Sequence, residues 1–371
     1  RRFSGIISGD KIQEIRSRAN IRDFVSNYVS LKKSGRNYVG LCPFHAEKTP
    51  SFTVNEEKGS FKCFGCGVGG DVFRFYMMVT GASFPEAVQD IARRYGISLP
   101  EKPLSPVQKE KNREKNSLYQ INEEAALYFR NQLHGPAGEV PRKYLSERAI
   151  IPSCIEAFAL GYASSQWEGL QIYLKAKKFA PELALKAGLA RPRQSDGSLY
   201  DYFRDRVMFP IHDLQGRVVG FGGRILEKGE PKYLNSPESP VYSKGNSLYG
   251  LWQARQAIQR EDQVIVVEGY FDLLSLYSHG IHNVVAPLGT ALTQNQIQIL
   301  KRYTRRIVVV FDGDEAGIRA MARTLPLFLA EGIESHAVVL PGGQDPDDFV
   351  RRKGADDFRN LAAKAPTIMD F

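Results

Sequence analysis

Two short pairs of potential metal ligands are the most constraining feature of the sequence. Cys42-x-x-His45 and Cys63-x-x-Cys66 each hold two ligands separated by two residues. Zn²⁺ prefers four thiolate or imidazole ligands in tetrahedral geometry, and a tight turn presents paired ligands at this spacing. A redox role for Cys63 and Cys66 alone would leave Cys42 and His45 without a function. The pattern therefore favours a closed, structural zinc site.

Short strand-like segments flank the two ligand pairs. Residues 52–54 and 59–62 are separated by a polar turn, as expected for a β-hairpin. Two ligand turns on adjacent strands predict a small zinc ribbon. Such a ribbon has too little apolar surface to fold without its metal.

Basic and aromatic residues alternate around the predicted ribbon. The basic residues are Lys32, Lys33, Arg36, Lys48 and Lys62, and the aromatic residues are Tyr38, Phe44, Phe52, Phe61 and Phe64. Lys and Arg neutralise phosphates and aromatic rings stack on unpaired bases, so the mixture suits single-stranded nucleic acid. The same aromatic residues would equally serve as the small core of the ribbon. Both interpretations stay open at this point.

The excess of positive charge lies mostly at the zinc end. The formal net charge is +9, and residues 1–100 hold 15 Lys and Arg against 9 Asp and Glu. This concentration indicates a polyanionic partner for that part of the chain. No apolar run reaches the length of a membrane span, and no secretory signal is apparent. Because zinc accounts for three of the four cysteines, we expect a cytoplasmic protein.

The 371 residues allow two or three domains. Helical periodicity occupies residues 10–31 and 71–95, on either side of the ribbon. Residues 98–116 contain three prolines, many charges and almost no large apolar residue, which predicts a linker that can run into the following helix. Helical periodicity resumes at residue 117, and residues 202–224 have the pattern of a hairpin.

Strand-like and helix-like segments alternate from residue 261 onward. Predicted strands cover residues 264–267, 283–287, 307–311 and 336–340, and predicted helices cover residues 272–278, 294–303 and 315–329. Continuous β-branched strands separated by helices predict an α/β fold with a parallel sheet flanked by helices. In such sheets, functional groups gather beyond the carboxyl ends of the strands.

Acidic residues follow three of these predicted strands. Glu268 follows the first, Asp312 and Asp314 follow the third, and Asp345 and Asp347 come after the last. Crowded carboxylates repel one another unless a cation neutralises them, so a hard divalent metal is the expected occupant. One Asp-x-Asp after a strand is often only a loop or a helix cap. Three acidic sites on successive strand ends predict a metal site.

The acidic pattern resembles that of the toprim domain. It consists of Val-Glu-Gly-Tyr-Phe-Asp at residues 267–272 and Phe-Asp-Gly-Asp-Glu-Ala-Gly at residues 311–317. Toprim domains occur in topoisomerases, some nucleases, recombination proteins and bacterial primases. The zinc motif, Phe-Arg-Asp-Arg-Val-Met-Phe-Pro-Ile and Lys-Tyr-Leu-Asn-Ser-Pro-Glu together resemble the bacterial replicative primases of the DnaG type. This resemblance extends over essentially the whole chain, in the order of the family.

The resemblance implies synthesis of short RNA primers from ribonucleoside triphosphates on single-stranded DNA, with release of pyrophosphate. It makes Glu268, Asp312 and Asp314 the main ligands of catalytic Mg²⁺ or Mn²⁺, and Asp345 and Asp347 an accessory acidic group. It also implies a basic face that binds template and nucleotide, formed by Arg204, Arg206, Arg224, Lys232 and Lys244.

The implied architecture has five segments: a zinc-ribbon domain at residues 1–97, a linker at 98–116, a mixed α+β basic subdomain at 117–260, a toprim subdomain at 261–343 and the start of a helical subdomain at 344–371. The family also carries a C-terminal module that binds the replicative helicase. Nothing in the sequence corresponds to this module, and the chain does not begin with Met, so we expect a fragment of a longer protein. We expect it to be a monomer without membrane contact.

Three other functions fit parts of the sequence. A toprim-type nuclease or topoisomerase would cleave DNA with the same acidic residues, but none of the 17 tyrosines stands in a context that marks a topoisomerase nucleophile. A fused helicase–primase would need a Gly-x-x-x-x-Gly-Lys-Ser/Thr loop for ATP, which the sequence lacks. A non-enzymatic zinc-ribbon protein on a degenerate toprim scaffold would be expected to lack the carboxylates.

Overall fold

The computed structural model describes residues 9–45, 47, 49–80, 82–99, 106–226, 229–289, 291–311, 324 and 326–368, with the backbone alone at residues 334 and 342. The chain divides into two compact units. The first consists of Arg1–Lys109 with Gln259–Asp262, and the second of Glu110–Ile258 with Gln263–Phe371.

The first unit is an antiparallel sheet with helices before and after it. Its elements are α1 (Gly9–Arg18), α2 (Ile21–Ser26), β1 (Lys32–Ser34), β2 (Asn37–Gly40), β3 (Phe52–Asn55), β4 (Ser60–Cys63), β5 (Gly69–Gly70), α3 (Val72–Thr80) and α4 (Phe84–Arg94). The five strands lie in the order β1-β2-β3-β4-β5. The hairpin predicted around the ligand pairs is β3–β4, in which Phe52 pairs with Cys63.

Local signals explain how the helices of this unit begin. The Asn20 side chain accepts hydrogen bonds from the amides of Arg22 and Asp23 and caps α2, so the predicted helix over residues 10–31 is interrupted there. Ser83 and Glu86 form a capping box at the start of α4. These caps supply partners for amides that have no carbonyl partner within the first turn of a helix.

In its described residues, the second unit contains more helices than the first, three sheets and a further helical stretch at residues 326–331. Its helices are α5 (Pro106–His134), α6 (Glu139–Glu147), α7 (Pro152–Ala157), α8 (Gly169–Ala176), α9 (Pro181–Lys186), α10 (Leu251–Glu261), α11 (Tyr270–Ser278), α12 (Gln294–Leu300), α13 (Pro346–Lys353) and α14 (Ala355–Ala363). Its strands are β6 (Gly161–Ala163), β7 (Ala190–Pro192), β8 (Leu199–Asp201), β9 (Arg206–His212), β10 (Val218–Ile225), β11 (Tyr233–Asn235), β12 (Val264–Val266), β13 (Val284–Val285), β14 (Arg306–Phe311) and β15 (Glu334–Val339).

Helix α5 begins inside the segment that the sequence predicts to be a linker. Residues 106–116 of the predicted linker 98–116 are helical, so this segment runs into the following helix. Its bounds as a linker stay a prediction. Pro106 stands at the first position of the helix, where its missing N–H costs nothing. The residues that follow are mostly Lys, Glu, Gln and Arg, which are good helix formers. Because the first part of α5 is mostly exposed, it has no stripe of apolar residues from which the helix could be predicted.

A mostly buried antiparallel sheet, in the order β11-β10-β9-β6, precedes the parallel one. Strands β9 and β10 form the hairpin that the sequence predicts over residues 202–224. Gly216 in the connecting turn has φ of +82°, a conformation that favours glycine. Strands β7 and β8 form a separate two-stranded sheet.

The predicted parallel sheet is present, with the strand order β13-β12-β14-β15. Alternate residues of its strands enter different hydrophobic clusters: Ile265 and Val308 lie in one, and Val264 and Ile307 lie in the other. Burial on both faces explains why the strands are continuously apolar. The α/β fold class is therefore confirmed.

Helices α13 and α14 pack into the same core as the parallel sheet. Phe349 and Phe358 belong to a hydrophobic cluster that also contains Phe209 of β9 and Val267 beyond β12. The boundaries at residues 260 and 343 stay predictions, because this cluster runs across both. Of the helix predicted over residues 315–329, the first part lies outside the described residues, and residues 326–331 are helical. Among the described helices, none combines the length and apolar character needed to cross a bilayer.

Candidate functional site

The four predicted zinc ligands meet in the first unit. The ligand atoms of Cys42, His45, Cys63 and Cys66 all lie within 4.8 Å of one another. The Sγ atoms of Cys42 and Cys66 are 3.9 Å apart, and Cys63 Sγ is 3.7 Å from His45 Nδ1. Tetrahedral ligands at a metal bond length of about 2.3 Å are separated by about 3.8 Å. The donor set and its spacing therefore fit a four-coordinate structural zinc.

Backbone amides support the sulfur atoms. The amide of Phe44 donates to Cys42 Sγ, and the amide of Cys66 donates to Cys63 Sγ, both at 3.4 Å. Burial raises the pKa of the Cys42 thiol. A cation is therefore needed to keep this sulfur in the thiolate form that binds metal.

The structure separates the aromatic residues of the ribbon into core and surface. Phe52 and Phe61 are buried and stack at a centroid distance of 5.2 Å, and Phe44 packs against both of them. Phe64, between the two cysteines of the second ligand pair, is 71% exposed. The Lys62 Nζ atom lies 5.4 Å from the Phe64 ring. Most of the aromatic set is thus core, while Phe64 presents its ring to solvent.

A cleft of about 340 Å³ gathers charged residues at the end of the parallel sheet. Its lining includes three of the predicted acidic residues, Glu268, Asp345 and Asp347, and two of the predicted basic ones, Arg224 and Lys232. Glu268 follows β12 after one intervening residue, and Asp345 caps α13 by accepting the amide of Asp348 at 2.7 Å. Residues of both charges from distant parts of the sequence therefore face one space.

Asp312 and Asp314 lie outside the described residues. The described part of this segment ends at Phe311, the last residue of β14. Val266 of β12 pairs in register with Val309 of β14, so these neighbouring strands end at the same edge of the sheet. Among the described residues, the zinc ligands are the group of potential metal ligands that comes together closely, and the roles of Asp312 and Asp314 stay predictions.

Asp347 is a buried carboxylate with an unusual pair of surroundings. It is 5% exposed, and its Oδ2 atom accepts from Arg148 Nη1 at 3.2 Å. Its Oδ1 atom is buried and has no hydrogen-bond partner among the described residues. Buried carboxylate oxygens are normally satisfied, so an unpartnered one beside the cleft fits a cation.

Arg148 is a cleft residue that the sequence interpretation missed. It follows α6, and its guanidinium lies 4.7 Å from the centroid of the Phe271 ring. Arg148 and Asp347 are 199 residues apart in the chain, so no local motif links them. A single Arg after a helix carries no sequence signal that would mark it as part of a site.

The wall of the cleft depends on close packing around Tyr270. The Tyr270 hydroxyl donates to Asn235 Oδ1 at 2.7 Å, and its ring stacks on Phe209 at a centroid distance of 4.6 Å. Burial raises the pKa of Tyr270 well above its ordinary value, so the hydroxyl stays a donor. Gly222 of β10 faces this ring, and a Cβ there would lie 2.4 Å from Tyr270 Cζ.

A second cleft, of about 490 Å³, is lined by aromatic rings and arginines. Trp167 is 52% exposed and meets Tyr200 edge to face at 5.5 Å. The Arg204 guanidinium lies 4.1 Å from the Trp167 ring centroid and 4.9 Å from that of Tyr200. Trp167 and Tyr200 carry no signal in the sequence alone, since isolated aromatic residues are more often core residues. Exposed rings beside arginine form a surface that suits unpaired bases and phosphates.

Asp201 holds this surface from behind. It is buried, and its carboxylate accepts the amides of Leu170 at 2.8 Å and Gln171 at 3.0 Å, at the start of α8. Its amide donates to the Trp167 carbonyl at 2.7 Å, and its carbonyl accepts from Arg204. Burial raises the pKa of Asp201 to about 6, against the lowering effect of the amide hydrogen bonds.

Arg206 and Lys244, like Arg204, do not line the first cleft. Arg206 lines the second cleft but is buried, and it donates to the carbonyls of Gly223 at 3.3 Å and Lys232 at 3.4 Å. Burial lowers the pKa of Arg206. Its contacts tie the strands of the sheet together. Lys244 begins a 3₁₀ turn and lines neither of the two clefts, so its role in binding stays a prediction.

Models of three protein families match the chain, one after another. The CHC2 zinc finger matches residues 7–105. The N-terminal domain of the DNA primase catalytic core matches residues 128–255, and a Toprim-like domain matches residues 265–350. The order of these matches is the order of the zinc ribbon, the basic clefts and the parallel sheet.

Similar proteins cover nearly the whole chain. A DNA primase of Halalkalibacterium halodurans is 42% identical over 367 residues, which cover 98% of this chain and 61% of that protein. The chain thus spans about three fifths of the length of this relative. The solved zinc-binding and RNA polymerase domains of the Aquifex aeolicus primase are 41% identical, with a TM-score of 0.64, and the match covers 96% of this chain and 86% of that one.

A second solved structure, the catalytic domain of a DnaG primase bound to single-stranded DNA, is 37% identical, with a TM-score of 0.65. This match covers 69% of the present chain and 84% of that domain. At these identities, the likeness extends to sequence as well as fold.

Proposed function

The chain belongs to the family of bacterial DnaG-type DNA primases, and we propose that it synthesises short RNA primers on a single-stranded DNA template. The reaction joins ribonucleotides: the 3′-hydroxyl of one attacks the α-phosphate of the next, and pyrophosphate leaves. The observation that carries the proposal is the cleft in which Glu268, Asp345 and Asp347 face Arg148, Arg224 and Lys232. A nucleotidyl transfer site needs both charges, since carboxylates hold a metal while cations neutralise a triphosphate.

Glu268, Asp312 and Asp314 are the proposed main ligands of catalytic Mg²⁺ or Mn²⁺, with Asp345 and Asp347 as an accessory acidic group. The buried Oδ1 atom of Asp347 has no hydrogen-bond partner within the described part of the chain, which supports a cation at this end of the sheet. When bound, the metal would lower the pKa of the attacking hydroxyl and stabilise the charge that develops on the phosphoryl oxygens.

Arginine and lysine side chains of the cleft are proposed to hold the incoming nucleotide. Arg224 lies on β10 and Lys232 is the residue before β11, and Arg148 lines the same cleft beside Asp347. Arg offers a planar fork of donors to phosphate oxygens, and Lys offers a compact charge. Together they would neutralise the triphosphate during the transfer.

The second cleft is proposed to hold the single-stranded template. The exposed Trp167 ring, with Tyr200 and Arg204 against it, gives bases a stacking surface and phosphates a cation. Arg206 is proposed to contribute chiefly by fixing the strands beside this cleft. The charge of residues 1–100 and the exposed Phe64 support a further template contact on the zinc ribbon.

A replicative helicase is the partner that the family resemblance implies. That interaction, the monomeric state and the cytoplasmic location stay predictions.

The test is to incubate the protein with single-stranded DNA, labelled ribonucleotides and Mg²⁺ or Mn²⁺, and to separate the products by size. We expect short RNA products from the wild type and none from Glu268→Gln or Asp312→Asn. The exposed Asp357 supplies a matched control, and Asp357→Asn should retain full activity. Metal-dependent cleavage of the DNA without RNA synthesis would contradict the proposal and favour a nuclease.

A further inference from the structure

Glu47 lies beside the zinc ligands and contacts two of them, His45 and Cys42. Its side chain is 10% exposed, and its Oε2 atom is 3.2 Å from the Nε2 atom of His45. Its Oε1 atom accepts the amide of Cys42 at 2.7 Å and the amide of Ser51 at 3.0 Å. One carboxylate therefore contacts two of the residues that hold the metal.

Ser51 extends these contacts to a third ligand. Its hydroxyl donates to Glu47 Oε2, and its Oγ atom lies 3.2 Å from Cys63 Sγ. The Oγ atom also accepts the amide of Gly65 at 3.1 Å, in the turn between Cys63 and Cys66. Glu47 and Ser51 thus connect both ligand pairs.

The two ring nitrogens of His45 have different surroundings. His45 Nδ1 is 3.7 Å from Cys63 Sγ and faces the other ligands, while Nε2 faces the carboxylate. A neutral imidazole carries its proton on one nitrogen, and a carboxylate acceptor fixes that proton on the nitrogen it contacts. Gly65 supports this orientation, because a Cβ at residue 65 would lie 2.6 Å from His45 Nε2.

We propose that Glu47 is the positioning residue of the zinc site: it holds the proton of His45 on Nε2, aims Nδ1 at the metal and, through Ser51, fixes the Cys63 sulfur. Carboxylates in this position raise the basicity of a metal-bound imidazole and reduce its rotation. Substituting such a partner typically weakens metal binding by about 10- to 100-fold. The proposal rests on the zinc site and is independent of primer synthesis.

Zinc affinity of the full chain gives the first test, measured by competition with a chromogenic chelator. Glu47→Gln keeps the size of the side chain but removes the carboxylate, and we expect its zinc dissociation constant to rise about 10- to 100-fold. Ser51→Ala should give a smaller rise. The exposed Glu57 lies in the turn between β3 and β4, so Glu57→Gln is the matched control and should bind zinc like the wild type. Equal affinity of Glu47→Gln and the wild type would overturn the proposal.

The ligating nitrogen gives a second test, which does not depend on the folding of any Glu47 variant. In the zinc-loaded wild type with ¹⁵N-labelled histidine, NMR should show His45 bound through Nδ1 and protonated on Nε2. His45→Cys retains a ligand and assigns the signal by its loss. In Glu47→Gln, the His45 signals should broaden or divide between two ligation modes. Coordination through Nε2 in the wild type would refute the proposal, whatever the affinity measurements give.

Discussion

Gly222→Ala tests the packing around Tyr270 that forms the wall of the cleft at the end of the parallel sheet. A Cβ at this position would lie 2.4 Å from both Cζ and Oη of Tyr270, closer than carbon atoms in proteins pack. To restore a normal contact, the ring would have to move by roughly 1 Å, which a close-packed interior resists. The ring has little room to move, because it is stacked on Phe209 and bonded to Asn235.

We expect this substitution to destabilise the second unit by about 1–3 kcal/mol, the usual cost of adding a methyl group to a filled site. Tyr270 begins α11 two residues after Glu268, so the same displacement should reduce primer synthesis. Gly245→Ala is the matched control, since its Cβ would meet only Thr293 Cγ2 at 3.9 Å. The free energy of unfolding of that variant should lie within about 0.5 kcal/mol of the wild-type value.

The assay is urea unfolding followed by tryptophan fluorescence. Both tryptophans of the chain, Trp167 and Trp252, lie in the second unit, so their signal reports that unit alone. The decisive comparison is a double-mutant cycle with Tyr270→Ala, which removes the ring that the new methyl group would strike. In that background Gly222→Ala should cost close to nothing. The reasoning is refuted if its cost is unchanged there, or if Gly222→Ala alone is as stable as the wild type.

Three further results follow from the second unit. Arg148→Met leaves the buried Asp347 carboxylate without its cation; because Arg148 is a third exposed, we expect a loss of about 1–3 kcal/mol in the same unfolding assay. Between pH 4 and pH 6 Asp201 should lower the stability of the wild type by about 2 kcal/mol, since it is still protonated in the folded state while it is ionised in the unfolded chain, and Asp201→Asn should remove this contribution. Trp167→Ala should weaken binding of single-stranded DNA by about 1–3 kcal/mol in fluorescence anisotropy, whereas Trp252→Phe should not.

Each of these has an outcome that contradicts it. Unchanged stability of Arg148→Met would mean that Asp347 does not depend on its ion pair. A pH profile of Asp201→Asn that parallels the wild type would exclude this carboxyl as the titrating group. Equal loss of DNA binding in both tryptophan variants would show that the second cleft is not the specific contact.

The residues of the zinc site were predictable because each ligand pair lies within four consecutive residues. Cys42 and His45, like Cys63 and Cys66, stand at a spacing that only a tight turn and a shared metal explain. The parallel sheet was predictable for a related reason: burial on both faces makes each strand continuously apolar, and Glu268 follows such a strand after one intervening residue. In both cases a few consecutive residues carry the whole signal.

Other features were decided by contacts between distant segments. Arg148 meets Asp347 across 199 residues, and the loop residue Trp167 is hydrogen-bonded to Asp201 of β8. Glu47 stands two residues from His45, yet nothing in its sequence context distinguishes it from a solvated glutamate. The start of α5 was not predictable either, because an exposed helical segment shows no apolar periodicity in the sequence.

The difference between the features that the sequence predicted and those that it did not follows from the range of the interactions involved. Turn geometry, strand burial and ligand spacing act over a few residues, so the amino-acid order alone determines where the zinc ligands and the strand-end carboxylates stand. Ion pairing, ring stacking and the orientation of a histidine depend on which surfaces the folded chain brings together. Those contacts are set only once the hydrophobic core has closed, and the tertiary structure alone decided them.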